Sequence, residues 1–171
     1  MESWNFFYLI MQLKNKYLVI INPVSGKKNS KKNLNYIVSF LEKYNLDFDL
    51  FISKYKYHIK EYLFSLSPTL YTDIIVYGGD GTFNEVINGI LKRQDNYVPR
   101  LGLLPGGSGN SVMHDLNAIN IDSALQLIIS NNVKFIDVMK LEYTNQIQYS
   151  INIVGWGMVA DVAYLAEKLR F

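Results

Sequence analysis

Three short stretches hold the residues with chemistry to offer: Asn22-Pro23-Val24-Ser25-Gly26-Lys27, Gly78-Gly79-Asp80-Gly81-Thr82 and Pro105-Gly106-Gly107-Ser108-Gly109-Asn110. Glycine lets backbone N–H groups come close to phosphate oxygens, and the start of a helix adds partial positive charge. One such loop alone reads best as a tight turn. Three of them, each leading into a helix pattern, read together as a polyphosphate site. Asp80 stands between glycines, where a carboxylate can reach a Mg²⁺ ion carried on the phosphates or take the proton of an attacking hydroxyl. A turn-forming aspartate is the plainer alternative. Glu85 reads equally well as a helix cap, and Asn84 and Asn88 as hydrogen-bonding groups on the helix surface or between helix and loop. The glycine spacing fits neither a Walker loop nor a Rossmann turn, so a different nucleotide fold is required.

The elements that must carry these loops follow from hydropathy patterning. Tyr17 to Asn22 is a short apolar run rich in β-branched residues, stopped by Pro23 and Gly26, as in a fully buried strand. Leu34, Ile37, Val38 and Leu41 put one apolar stripe on a helix from about Ser30 to Tyr44, and its lysines read as a solvated face. Phe48, Leu50 and Ile52 alternate with Asp47 and Asp49 as in a half-buried strand; Ile59, Tyr62, Leu63 and Leu66 mark a second helix. Asp73 to Tyr77 is the next buried strand. Thr82 followed by Glu85 is a capping-box pattern, which predicts a helix starting at Phe83. Leu101 to Leu104 is a fourth strand, followed by a short helix around Val112, Met113 and Leu116 and another from about Asp122 to Ser130. This alternation argues for an open, largely parallel sheet with helices on both faces, a three-layer α/β/α architecture. In such a sheet the loops after the strands' carboxyl ends share one edge. From Lys134 the pattern changes to two extended runs, Lys134 to Tyr143 and Gln146 to Val154, around the turn Thr144-Asn145. A helical stretch from about Met158 to Arg170 closes the chain. The reading divides the chain into an extension (1–16), an α/β nucleotide-binding domain (17–131) and the start of a β-rich second domain (132–171).

Composition narrows the function classes. The 171 residues include 17 Lys plus Arg against 15 Asp plus Glu, and a net charge of +2 is too weak to imply a nucleic-acid partner. Hydrophobic residues make up 49%, enough to bury a core, which excludes disorder as a description of the whole chain. The absence of cysteine excludes a disulfide scaffold, thiolate catalysis and cysteine-ligated metal centres, and two histidines argue against zinc. The longest apolar runs, Phe6 to Met11 and Tyr17 to Ile21, fall far short of the roughly 18–20 residues of a membrane span. No basic n-region or cleavage site marks a secretory signal, so a cytoplasmic chain is the expectation. Trp4, Phe6 and Phe7 are candidates for peripheral contact with a membrane surface.

Asn-Pro-x-Ser-Gly-Lys at Asn22 to Lys27, Gly-Gly-Asp-Gly-Thr-x-Asn-Glu-Val at Gly78 to Val86 and Pro-Gly-Gly-Ser-Gly-Asn at Pro105 to Asn110 resemble the catalytic domain of the diacylglycerol kinase and sphingosine kinase superfamily. NAD kinases share the Gly-Gly-Asp-Gly loop, but their pattern does not include the third motif. Trp156 to Val162, with Glu167 to Arg170, resembles the corresponding segment of sphingosine and other long-chain-base kinases. The resemblance implies an ATP-dependent kinase using Mg²⁺ and a lipid acceptor, a sphingoid base first, then diacylglycerol or ceramide. It implies that Asn22, Ser25, Gly26 and Lys27 line the phosphates with Gly79, Asp80, Gly81 and Thr82, and that Gly107, Ser108, Gly109 and Asn110 complete the site. Pro23, Gly78, Glu85 and Gly106 belong to the same motifs and are counted with the nucleotide site. Asp80 matches the general base and is also the candidate metal ligand. Ser53 and His58 match a Thr-x-x-x-x-His pattern, with Ser53 near the nucleotide and His58 packing or capping. Glu167 and Arg170 match an acidic and basic pair that reaches the phosphates from a second domain. Two positions after Asp161, where sphingosine kinases carry an acidic residue, this chain has Ala163. The family places a β-sandwich after this region, and the chain ends as that domain begins. The alternatives to a lipid kinase are a non-catalytic nucleotide-binding module and, more weakly, an NAD kinase.

Overall fold

A computed structural model of the chain describes residues 15–25, 30–67, 70–152, 154–155 and 158–168. Four strands, β1 (Lys16–Ile21), β2 (Asp47–Ile52), β3 (Asp73–Gly78) and β4 (Arg100–Pro105), form one sheet in the order β2-β1-β3-β4. All three pairings are parallel, as the βα alternation requires. The connections carry α1 (Ser30–Lys43), α2 (His58–Ser65) and α3 (Asp80–Leu91). After β4 come α4 (Ser111–Asp115), α5 (Ile121–Ile129), the antiparallel hairpin β5 (Met139–Tyr143) and β6 (Gln146–Ser150), and α6 (Met158–Lys168).

The register sorts the side chains into two faces. Ile20 lies level with Phe51 on one side and Val76 on the other, and Phe51 stacks on Tyr62 of α2 at a 3.9 Å ring separation. That face belongs to α2 and α3. The alternate residues Ile75 and Tyr77 face α1 and α5: Tyr77 accepts a 2.9 Å hydrogen bond from Asn33, and Ile128 of α5 lies over Gly102, beside Ile75. The two helices on this face are joined by Tyr36, which donates to Asp122. Leu18, Val19, Ile20, Ile74, Ile75, Val76 and Tyr77 are fully enclosed, because the central strands β1 and β3 are covered on both faces.

Helix α3 and the residues just after it hold α2 at both of its ends. Glu85 accepts from the N–H groups of Ile59 and Lys60 at 2.9 and 3.2 Å, while Arg93 donates to the carbonyls of Leu63, Phe64 and Leu66. Negative charge at the first turn and positive charge at the last both suit the helix dipole.

Three expectations are corrected. Leu50 and Ile52 are 43% and 40% exposed, because β2 is the edge strand and its burial falls on Phe48 and Phe51 instead. Helix α3 begins at Asp80, after Gly79 as N-cap, so no capping box operates at Phe83; Thr82 and Glu85 are engaged elsewhere. Pairing in the hairpin starts at Met139 rather than Lys134, and Phe135 stands fully in solvent. Among the described residues no helix is long and apolar enough to cross a membrane.

Candidate functional site

The first loop leaves β1 at Ile21, the second leaves β3 at Gly78 and the third leaves β4 at Pro105. These strands are neighbours in register, Ile21 beside Tyr77 and Gly78 beside Pro105, so the loops emerge side by side at one edge. Because the chain winds from β1 outward in both directions, the edge between β1 and β3 is the switch point at which open α/β sheets leave a crevice.

Side-chain and backbone ties make the loops one unit. Asn22 donates from Nδ2 to Thr82 Oγ1 at 2.8 Å and from its N–H to Tyr77 O at 3.0 Å, which locks the first loop to the second. Its Oδ1 accepts from Val24 N–H and its carbonyl from Ser25 N–H, folding the first loop back on itself. Gly106 donates to Gly78 O at 2.7 Å. A Cβ built on Gly107 would stand 2.7 Å from the Cα of Gly79, so the second and third loops touch backbone to backbone where only glycine fits. Asn110, left-handed at φ 50°, closes the third loop by exchanging two hydrogen bonds with Gly107, at 2.8 and 2.7 Å.

Asp80 bridges the second and third loops. Its Oδ1 accepts from the N–H of Ser111 at 2.9 Å, and its Oδ2 takes a long bond of 3.4 Å from the Ser111 hydroxyl. A charged acceptor on a helical N–H is among the stronger hydrogen bonds, and it fixes the carboxylate's direction. Ser111 escapes the sequence reading, although its position as the first helical residue after Pro-Gly-Gly-Ser-Gly-Asn is a signal that could have found it.

Several donors of this edge remain open. The N–H groups of Asp80 and Gly81 open α3, where no helical carbonyl can reach them. Those of Gly79, Ser108 and Gly109 donate to no other described residue. Gly81 has nothing within 4 Å of where a Cβ would stand, so the fold itself has no need of a glycine there. Gly81→Ala is therefore expected to raise stability by up to about 1 kcal/mol through helix propensity. If phosphates approach this backbone, the same methyl should weaken MgATP binding about tenfold, an overpacking cost of about 1.4 kcal/mol. Thermal denaturation and calorimetric titration of the one variant check both signs.

The remaining candidates divide. Asn22, Pro23, Ser25, Gly78, Gly79, Asp80, Gly81, Thr82, Gly106, Gly107, Ser108, Gly109 and Asn110 all belong to the three loops at this edge. Ser53 follows β2 at the same edge, buried, with its N–H on Ile21 O at 3.0 Å. His58 packs: its ring lies against Phe51 and Tyr55, and Nδ1 accepts from the loop N–H of Lys54 at 3.1 Å rather than capping the helix. Glu85 does not join the loops, since its carboxylate closes the start of α2. Gly26, Lys27, Arg170, Trp156 and residues 1–14 lie outside the described residues, as does the side chain of Glu167, whose backbone is in α6.

This geometry suits a nucleotide polyphosphate: clustered N–H groups, a helix start and a backbone surface free of side chains. Among the described residues no three acidic or histidine side chains converge as a metal cage. Mg²⁺ that rides on substrate phosphates needs only one or two carboxylates, and Asp80 with its spare lone pairs meets that requirement.

Comparison with known proteins agrees with this arrangement. The family model described as the diacylglycerol kinase catalytic domain matches residues 16–141. Sphingosine kinase 1 of Arabidopsis thaliana is 32% identical over 165 residues, covering 91% of this chain and 34% of that protein. Ceramide kinase of Mus musculus is 30% identical over 173 residues, covering 90% of this chain and 32% of its own length. The chain thus spans about a third of the length of these curated relatives. A crystal structure of a diacylglycerol kinase from Bacillus anthracis str. Sterne superposes with a TM-score of 0.65 at 32% identity, over 72% of this chain and 42% of that one. With its parallel four-stranded sheet and its three glycine loops on one edge, the chain belongs to the diacylglycerol kinase catalytic-domain family of lipid kinases.

Proposed function

We propose that this chain forms the nucleotide-binding part of an ATP-dependent lipid kinase that transfers the γ-phosphate to a lipid hydroxyl, with a sphingoid base as first acceptor and diacylglycerol or ceramide next. The observation that carries the reading is the joining of three loops at the switch point around an Asp80 carboxylate aimed by Ser111. The names of the relatives, a sphingosine kinase and a ceramide kinase, support the acceptor class.

The chain's own residues then act as follows. The free N–H groups of Gly79, Asp80, Gly81, Ser108 and Gly109 hold phosphate oxygens in line, since positioning and electrostatics supply most of phosphoryl-transfer catalysis. The acceptor hydroxyl gives its proton to the Asp80 carboxylate as its oxygen bonds to the γ-phosphorus and the bond to the β-phosphate oxygen breaks. Mg²⁺, when bound, neutralises charge on the phosphates beside Asp80. Lys27 and Arg170 add positive charge to the transferring group, and Glu167 is counted with Arg170 at the phosphates. A lipid acceptor requires the protein to visit a membrane surface.

The test offers radiolabelled γ-phosphate ATP and Mg²⁺ to the full-length protein with sphingosine, ceramide and diacylglycerol in mixed micelles, and with NAD. Label is expected in a lipid, fastest in sphingosine. Label in NAD would overturn the reading in favour of an NAD kinase. Nucleotide binding with no transfer to any acceptor would favour a binding module. One observation speaks for that second reading: among the described residues, the roughly 920 Å³ cleft beside the hairpin is lined mainly by polar groups, among them Lys60, Lys92, Glu142 and Asn145, which suit water better than an acyl chain.

A further inference from the structure

Asn88 lies on α3 eight residues beyond Asp80, about 12 Å along the same helix axis, and is 2% exposed. Its carboxamide pairs with a single residue of β6: Nδ2 donates to Tyr149 O at 2.8 Å, and Oδ1 accepts from Tyr149 N–H at 2.9 Å. The amide thus stands in for one residue of a neighbouring strand, on the edge of β6 opposite β5. Nδ2 also reaches Asn84 O at 2.8 Å, which holds the side chain in place on its own helix. One turn further on, Lys92 donates from Nζ to Gln148 Oε1 at 3.0 Å. Burial, and then the nearby Lys60, lowers the Lys92 pKa, as expected of a side chain drawn into this seam.

A buried amide of this kind adds modest net stability but specifies one arrangement. Sliding β6 by one residue would present Asn88 with a residue whose N–H and C=O point toward β5 instead. Every donor loop is built before Asn110, and the family match ends at residue 141, so β6 lies just beyond the matched region. The helix that carries Asp80 at its first residue therefore fixes the register of the element that follows.

We propose that Asn88 is a positioning residue: by locking β6 to helix α3 it sets where the acceptor side of the protein stands relative to Asp80, an inference that rests on the lipid-kinase reading. Nucleotide binding is expected not to depend on it, because among the described residues no loop residue hydrogen-bonds to Asn88.

The test compares Asn88→Ala and Asn88→Asp with the full-length wild type, measuring KM for ATP and for the lipid acceptor between pH 5.5 and 8. With both hydrogen bonds to β6 removed, the acceptor KM should rise about tenfold in Asn88→Ala, while KM for ATP stays within about twofold. At pH 8 the Asn88→Asp carboxylate faces the Tyr149 and Asn84 carbonyls and should do at least as much damage. Burial and those carbonyls push the introduced carboxyl's pKa up, and once protonated it donates and accepts as the amide did. The acceptor KM of Asn88→Asp should then recover toward wild type at pH 5.5, with no matching recovery in Asn88→Ala. Asp80 and Glu85 on α3, Lys92 at its C-cap, His58, Lys60, Glu61 and Tyr62 on α2, Lys140, Glu142 and Tyr143 on β5, and Tyr149 on β6 are the ionisable groups on the surrounding elements. They are common to both variants, so recovery confined to Asn88→Asp reports the introduced carboxyl. Equal losses for ATP and acceptor, no loss, or no pH-dependent recovery would each overturn the inference. Should Asn88→Ala fail to fold, the pH series on Asn88→Asp decides alone. A wild type that phosphorylates no lipid removes the functional reading and the inference with it; an active wild type with unsplit variants removes the inference alone.

Discussion

Asp80→Asn should lower phosphoryl transfer by about 10³-fold, within the range that a positioned general base contributes, while leaving the fold and the affinity for metal-free ATP close to wild type. The separation follows from the geometry. An asparagine keeps the oxygen that accepts from Ser111 N–H at 2.9 Å, and its NH₂ can face the Ser111 hydroxyl, so both ties between the second and third loops survive. What disappears is the negative charge and the capacity to take a proton. Single-turnover transfer alongside a urea melt checks the pair of outcomes. Retained turnover would remove Asp80 from the chemistry; a lost fold would make it a structural bridge only.

Gly107→Ala has the second largest effect, and it acts through structure. The added methyl would meet the Gly79 Cα at 2.7 Å and Asn110 Oδ1 at 3.0 Å. The first obstacle is backbone held in turn by α3, so the loops must part rather than a side chain rotate away. A cost of about 3 kcal/mol is expected, at the upper end of overpacking penalties. Opening the loop contact also spreads the N–H groups that the phosphates need, so MgATP affinity should fall as well. Gly81→Ala is the informative contrast, because its methyl meets nothing among the described residues. Denaturation curves and nucleotide titrations on the two variants separate a glycine required by the fold from one left open for a ligand.

Much of this architecture is readable from local patterning. The continuous apolar runs of β1 and β3 forecast strands covered on both faces, and the stripe of Leu34, Ile37 and Leu41 forecast the inner side of α1. The parallel sheet flanked by helices follows from their alternation. Strand order is different in kind: nothing within β2 itself says that it is an edge strand, so the alternation of Phe48, Leu50 and Ile52 overstates its burial. The two residues of the Thr82 and Glu85 pattern both make tertiary bonds, to Asn22 and to α2, and a local capping rule has no access to partners 60 and 25 residues away. Ser111 stays hidden for the same reason, and Asn88 reads as a hydrogen-bonding group whose partner the sequence does not name. Each is an ordinary helical residue by type, and each acquires its role from a partner 31 or 61 residues distant. Glycine was the exception among the site residues, because its placement records close backbone approach directly, as at Gly79 and Gly107.

The central claim is that the three loops form one nucleotide polyphosphate site. Its most direct test is a titration of the ¹⁵N-labelled 171-residue chain with MgATP, followed by amide NMR. Saturable shifts are predicted at Gly79, Asp80, Gly81, Ser108 and Gly109, with amides such as Gln146 and Ile147 in the hairpin unmoved. Shifts confined to the cleft around Lys60 and Lys92, or no saturable shift at all, would contradict the account.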